Sequence, residues 1–210
     1  MLQRVFGFLF FALAVLVGGQ AAAEPEKTDV IIVAGGCFWC VELDYDKVDC
    51  VLNTTSGYIG GKTDNPTYKQ VVSGNTGHLE AVAIRFNPAK VSCEKLLDVF
   101  WRSVDPTDGG GQFCDRGESY STGIFARNPQ QKRASEKSKR EIESSGVLDI
   151  PIATRIDVAD KFYPAEDYHQ DYYKRNPLRY KFYRHNCGRD ARVQAVWGDQ
   201  AHRGIAMKKK

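Results

Sequence analysis

Apolar positions along the chain alternate between strand-like and helix-like stretches. Lys27 to Ala34 is a short β-branched run, the pattern of a buried strand, and Gly35-Gly36 ends it. From Cys37 to Asp49 the spacing changes to that of a helix, with Val41, Tyr45 and Val48 on one face. Cys50 to Tyr58 alternates like a strand and runs into Gly60-Gly61, and Pro66 opens a short helix ending near Ser73-Gly74. His78 to Phe86 alternates again, with Leu79, Ala81 and Ala83 opposite Glu80, Val82 and Ile84. Ser92 caps a helix whose Leu96, Leu97, Phe100, Trp101 and Val104 recur at helical spacing.

A glycine-rich stretch, Asp105 to Gly117, reads as a long loop, and long loops in compact domains are commonly functional. Tyr120 to Ala126 is strand-like, Asn128-Pro129 opens a charged helix ended by Gly146, and Ile152 to Val158 is a last strand. Beyond it we expect a helix near Ala165 to Lys174, then irregular chain from Asn176-Pro177 onward. Strands alternating with helices give an α/β layered domain, and the order matches a two-layer sandwich better than a doubly wound sheet.

Composition narrows the function. The 210 residues are 42% apolar and 11% aromatic with a formal charge of +3, which excludes dominant disorder and sequence-independent nucleic-acid binding. No Gly-x-Gly-x-x-Gly opens a helix, so no dinucleotide site is implied. Residues 1–23 carry Arg4, an apolar run from Val5 to Val17 and small residues at Ala21-Ala22-Ala23. That is the layout of a cleaved secretory signal peptide, and the run is shorter than the ~18 residues usual for a span. The expected mature protein is one catalytic domain, 24–210, exported to a periplasmic or extracellular space where disulfides persist and without stable membrane insertion.

The densest chemical signal is Gly35-Gly36-Cys37-Phe38-Trp39-Cys40. A cysteine opening a helix after two glycines faces the positive end of the helix dipole, so its pKa is expected to fall. Haem attachment would need His where Val41 stands, and zinc would need a second close ligand pair that His185 and Cys187 supply poorly. A dithiol of thioredoxin type, Cys37 with Cys40, stays open.

Further blocks accompany it: Gly57-Tyr58 to Gly61, Asn65 to Tyr68, Gly77 to Val82, Asp115 to Tyr120, and Ala165-Glu166-Asp167 with His169-Gln170. Together with the Cys37 block they resemble the peptide methionine sulfoxide reductase A family over about Asp29 to Asn176. The resemblance implies a two-layer sandwich with a ferredoxin-like βαββαβ core and a long irregular C-terminal segment. It also implies Cys37 as nucleophile on methionine S-sulfoxide, Glu80 as proton donor, and Tyr68 and Tyr120 as hydroxyl donors to the departing oxygen. Phe38 and Trp39 would receive the substrate methyl, with Asp115 and His169 also binding substrate.

The sulfenic acid left on Cys37 would be resolved by Cys187, the preferred candidate, or by Cys40, and the resulting disulfide reduced by an external dithiol such as a thioredoxin-like protein. No cofactor or metal is implied, the substrates would be oxidised proteins or free methionine sulfoxide, and the enzyme would act as a monomer. One departure stands out: Ser119-Tyr120-Ser121 replaces the family's Gln-Tyr-Arg, removing a fixed positive charge. The resemblance assigns nothing to Cys50, Cys93 or Cys114.

Overall fold

A computed structural model describes residues 27–206; the expected leader, 1–23, lies outside them. The elements in chain order are β1 (Asp29–Gly35), α1 (Phe38–Tyr45), β2 (Val51–Ile59), α2 (Tyr68–Val72), β3 (Leu79–Phe86) and α3 (Cys93–Trp101). A small hairpin, β4 (Gly111–Gln112) and β5 (Asp115–Arg116), then precedes β6 (Thr122–Ala126), α4 (Pro129–Ser145), β7 (Arg155–Val158) and β8 (Tyr163–Pro164). The chain closes with α5 (Tyr172–Arg175), α6 (Pro177–Asn186) and α7 (Arg189–Trp197).

Six strands form one sheet in the order β7-β6-β1-β3-β2-β8. β1 lies antiparallel between β3 and β6, β2 lies antiparallel between β3 and β8, and only β6 and β7 run parallel. The central four strands with α1 and α3 are the expected ferredoxin-like unit. Strand alternation sorts the two faces. Ile31, Val33, Val82 and Ile84 pack under Phe38, Val41, Leu97, Phe100 and Trp101 on the helical face. Ile32, Ala34, Leu79, Ala81 and Phe125 form a thinner cluster on the other face, closed by Ala159 and Phe162. Each fully buried aliphatic side chain contributes about 1.5–3 kcal/mol. Glu80 shares the parity of Val82 and Ile84, so it points toward the helices.

Two expectations for the C-terminal third are corrected. The helix expected near Ala165 to Lys174 is reduced to the single turn of α5. Upstream of it Gln170 is occupied with β2, accepting from Ser56 N and donating to Ser56 O, both at 2.9 Å. The chain after Pro177 is not irregular but forms α6 and α7. Their inward positions include arginines, which a hydropathy pattern reads as polar. Buried Arg184 bonds Asp44 of α1 at 2.8 Å and Asp190 at 2.7 Å. Buried Arg189 donates to the carbonyls of Gly35 and Ser103, each at 2.9 Å. These contacts seat the C-terminal helices against the end of β1, the last turn of α1 and the turn after α3. Among the described residues no helix is long and apolar enough to cross a membrane.

Candidate active site

The turn from β1 into α1 requires its glycines. Gly36 has φ +76°, and a Cβ there would come within 2.6 Å of the Gln112 side chain of β4. Cys37 follows as the N-cap of α1, with extended-side backbone and no capping hydrogen bond from its side chain. Phe38 is held inward by packing, while its free N–H donates to Glu80 Oε2 at 3.0 Å. One of the helix's unpaired donors, available in principle to a thiolate, is thus spent on a carboxyl group.

Glu80 is 1% exposed, and burial raises its pKa to about 8, assisted by the charge of Asp115 and opposed by the Phe38 N–H. The group is therefore protonated at neutral pH. Cys37 departs from the sequence expectation: its pKa is raised, not lowered. Burial is the main cause, followed by its hydrogen bond and proximity to Cys40 and by the Glu80 charge, with a hydrogen bond from Tyr183 acting the other way. Cys40 is also penalised by burial, but its hydrogen bond with Cys37 and the charges of Arg189 and Arg184 bring it down. Of the two sulfurs, Cys40 is the more acidic.

Two hydroxyls reach the pocket from separate elements. Tyr68 opens α2, where Thr67 and Gln70 form a reciprocal cap worth about 1 kcal/mol. Its N–H donates to Glu166 Oε1 at 2.9 Å, and Tyr58 OH donates to Glu166 Oε2 at 2.8 Å. Tyr120 ends a 3₁₀ turn, Glu118–Tyr120, before β6, and its hydroxyl hydrogen-bonds that of Tyr68. Burial raises both phenols, Tyr68 to about 12, so both remain proton donors.

Aromatic rings form the walls. Trp39 stacks on Tyr172 at 3.7 Å between centroids, and its Nε1–H donates to His169 Nδ1 at 3.1 Å. His169 lies behind the pocket, 5.0 Å from the Phe38 ring and 4.3 Å from that of Tyr68, and burial lowers its pKa. The remaining small cavity, about 50 Å³, is lined by Cys37, Phe38, Trp39, Tyr68, Glu80, Asp115, Tyr120 and Tyr183. All four residues expected to carry chemistry meet there, with Phe38, Trp39 and Asp115, whereas His169 supports the wall from outside.

Tyr183 of α6 was not among the expected residues. Its hydroxyl donates to Asp115 and also reaches Cys37. Burial raises the Asp115 carboxyl, while Tyr183 and the charge of Arg189 lower it. Arg189 thus supplies a fixed positive charge near Asp115 in a chain that has Ser121 where an arginine was expected. Cys187 is bonded to Cys114 of the β4–β5 hairpin, whereas Cys37, Cys40, Cys50 and Cys93 are free thiols. Cys114, Asp115 and Cys187 bring three ligand-type atoms within 4.8 Å of one another, but both sulfurs are consumed in the S–S bond.

Comparison with known proteins places this geometry in context. The family model described as peptide methionine sulfoxide reductase matches residues 29–201. Peptide methionine sulfoxide reductase MsrA 2 of Rhizobium meliloti (strain 1021) is 49% identical over 206 residues, covering 98% of this chain and all of the relative. Among solved structures, Mxr1 of Saccharomyces cerevisiae in reduced form matches with a TM-score of 0.68 and 34% identity, covering 76% of this chain and 91% of that one. Mxr1 in complex with Trx2 matches with a TM-score of 0.50 and 26% identity, covering 73% and 91%.

Proposed function

This chain belongs to the peptide methionine sulfoxide reductase family, and from that premise we propose that the Cys37 pocket reduces the S epimer of methionine sulfoxide in exported proteins. The observation that carries the mechanism is the protonated, buried Glu80 held beside Cys37, with the Tyr68 and Tyr120 hydroxyls facing the same cavity.

The Cys37 sulfur attacks the sulfoxide sulfur while Glu80 passes its proton to the oxygen, and the two tyrosines donate to the charge building there. The oxygen transfers to Cys37 as a sulfenic acid, methionine leaves, and the Cys37 proton restores Glu80. The thiol loses two electrons and the sulfoxide gains them. A second cysteine condenses with the sulfenic acid, expelling water, and an external dithiol reduces the disulfide. The reported complex of the yeast relative with Trx2 supports a thioredoxin-type protein as that donor. Phe38 and Trp39 orient the methyl group, and the aromatic walls select one sulfur configuration.

Export rests on the Arg4, Val5–Val17 and Ala21–Ala23 pattern. The deciding assay follows dithiothreitol-driven turnover of separated S and R sulfoxides by the native chain and by Cys37→Ser. Turnover of the S form alone, abolished in the variant, is the expected result. Activity surviving in Cys37→Ser would overturn the assignment. Cell fractionation with N-terminal sequencing checks export, which predicts a mature chain starting near residue 24.

A further inference from the structure

We propose, building on the reductase reading, that Tyr168 selects among peptide substrates: its exposed ring is a shelf for an apolar or aromatic residue flanking the methionine sulfoxide. Three observations carry this. The Cys37 cavity has a volume of about 50 Å³, room for the sulfoxide end of one side chain. Residues on either side of the sulfoxide must therefore lie on the surface around its mouth. Next, two aromatic side chains stand well out from the described surface, Tyr168 at 57% and Phe182 at 71% exposed. Of these two, Tyr168 alone makes a ring contact, 4.2 Å from the ring of His169. That buried imidazole lies in turn 4.3 Å from Tyr68 and 5.0 Å from Phe38, which both line the cavity. One aromatic wall thus runs from the reacting sulfur outward and ends in solvent on Tyr168.

The third observation is that the shelf is built in advance. The His169 ring beneath it is fixed by the Trp39 indole N–H. The turn that carries Tyr168 is closed by the His169 N–H on the Glu166 carbonyl, 2.8 Å, and by the Gln170 N–H on the Asp167 carbonyl, 3.2 Å. Glu166 is bonded to Tyr68 of α2, and Gln170 to Ser56 of β2, so both ends of the turn are tied to the scaffold. A ring already held in place loses little conformational freedom when a second group packs on its face. Aromatic partners gain most from that contact. Burial and the Glu166 charge both raise the Tyr168 phenol, so a carboxylate acts at the shelf and an acidic flank is disfavoured there. The order of preference is therefore aromatic, then small, then acidic.

Three acetylated, amidated tripeptides test this, each with methionine S-sulfoxide at the centre and Phe, Ala or Glu at both flanks. In dithiothreitol-driven turnover by the native chain, kcat/KM for the Phe peptide should exceed that for the Ala peptide roughly two- to tenfold, chiefly through KM. The Glu peptide should fall below the Ala peptide. In Tyr168→Ala the Phe-to-Ala ratio should drop to about one, whereas Tyr168→Phe, which keeps the ring, should retain it. Each ratio is taken within a single protein, so a general loss of folding or of pocket geometry cancels from it. A native Phe-to-Ala ratio of about one, a ratio undiminished in Tyr168→Ala, or a ratio lost in Tyr168→Phe would each overturn the inference. Failure of the native chain to reduce any of the peptides or free methionine S-sulfoxide would instead sink the reductase reading itself.

Discussion

Phe38 N–H donates to Glu80 Oε2 at 3.0 Å, across 42 residues of chain, and so ties the first turn of α1 to the start of β3 directly beneath Cys37. The bond holds one carboxyl oxygen and leaves the other to carry the proton. Burial keeps that proton on up to about pH 8. Activity requiring protonated Glu80 should therefore fall as pH rises through about 8. Glu80→Gln, which cannot give up a proton, should lower kcat/KM by roughly 10²–10⁴-fold and erase that limb. Steady-state profiles of both proteins from pH 5 to 10 check this, and a profile unchanged in the variant would contradict it.

The same residue costs stability. Its folded pKa, about 8, lies above the ordinary value of 4.5, so between these pH values the folded chain holds a proton that the unfolded chain has lost. Stability contributed by the protonated group is complete below about pH 4.5 and is lost as pH rises through 8. At pH 7 the cost is on the order of 3 kcal/mol. Glu80→Gln, neutral throughout, should raise the melting temperature more at pH 8 than at pH 5. Calorimetry at the two values decides, and an equal shift at both would refute the linkage.

Glu166 accepts from Tyr68 N–H and Tyr58 OH while half out of solvent. Glu166→Ala strands two donors and frees the start of α2. A loss of about 1–3 kcal/mol in unfolding free energy, read from denaturant titration, is expected, with kcat falling more than KM rises because Tyr68 is misplaced. Glu166→Gln, which keeps one acceptor, should recover part of both.

Trp39→Phe removes the indole N–H that His169 Nδ1 accepts. It preserves ring packing against Tyr172 but releases the wall. KM for the sulfoxide should rise several-fold with little change in melting temperature, as measured by initial rates and thermal scans. An unchanged KM would show that the hydrogen bond does not position substrate.

Arg184 is 8% exposed at its side chain and pairs with Asp44, itself 1% exposed. Arg184→Ala leaves a buried carboxylate without its main partner, and a loss of about 3–5 kcal/mol follows. Because Arg184 also acidifies Cys40, the thiol's alkylation rate at pH 7 should drop in Arg184→Met, a variant that retains volume.

Much of this was legible beforehand. Alternation from His78 to Phe86 put Glu80 on the face of Val82 and Ile84, and that is the helix-covered face. The double glycine before Cys37 likewise marked a real steric need at Gly36. The thiol's acidity was misjudged because burial and the neighbouring Cys40 outweigh the helix N-terminus, one of whose donors Glu80 already takes. Helices α6 and α7 escaped because Arg184 and Arg189 sit where apolar residues would mark a core face. Tyr183 had no signal beyond standing four residues before Cys187. The partner of Cys187 was unreadable in principle, since six cysteines carry no pairing information and the bond closes over 73 residues.

The sheet's far border has a last consequence. β8 adds only Tyr163 and Pro164 beside β2, and a Cβ on Gly57 would collide with Phe162 and the Tyr163 carbonyl at 2.4 Å. A proline without an amide hydrogen ends the ladder there, and a two-residue rung gives a foreign chain little to zip onto. That end of the border is thereby blunted against templating by a second chain.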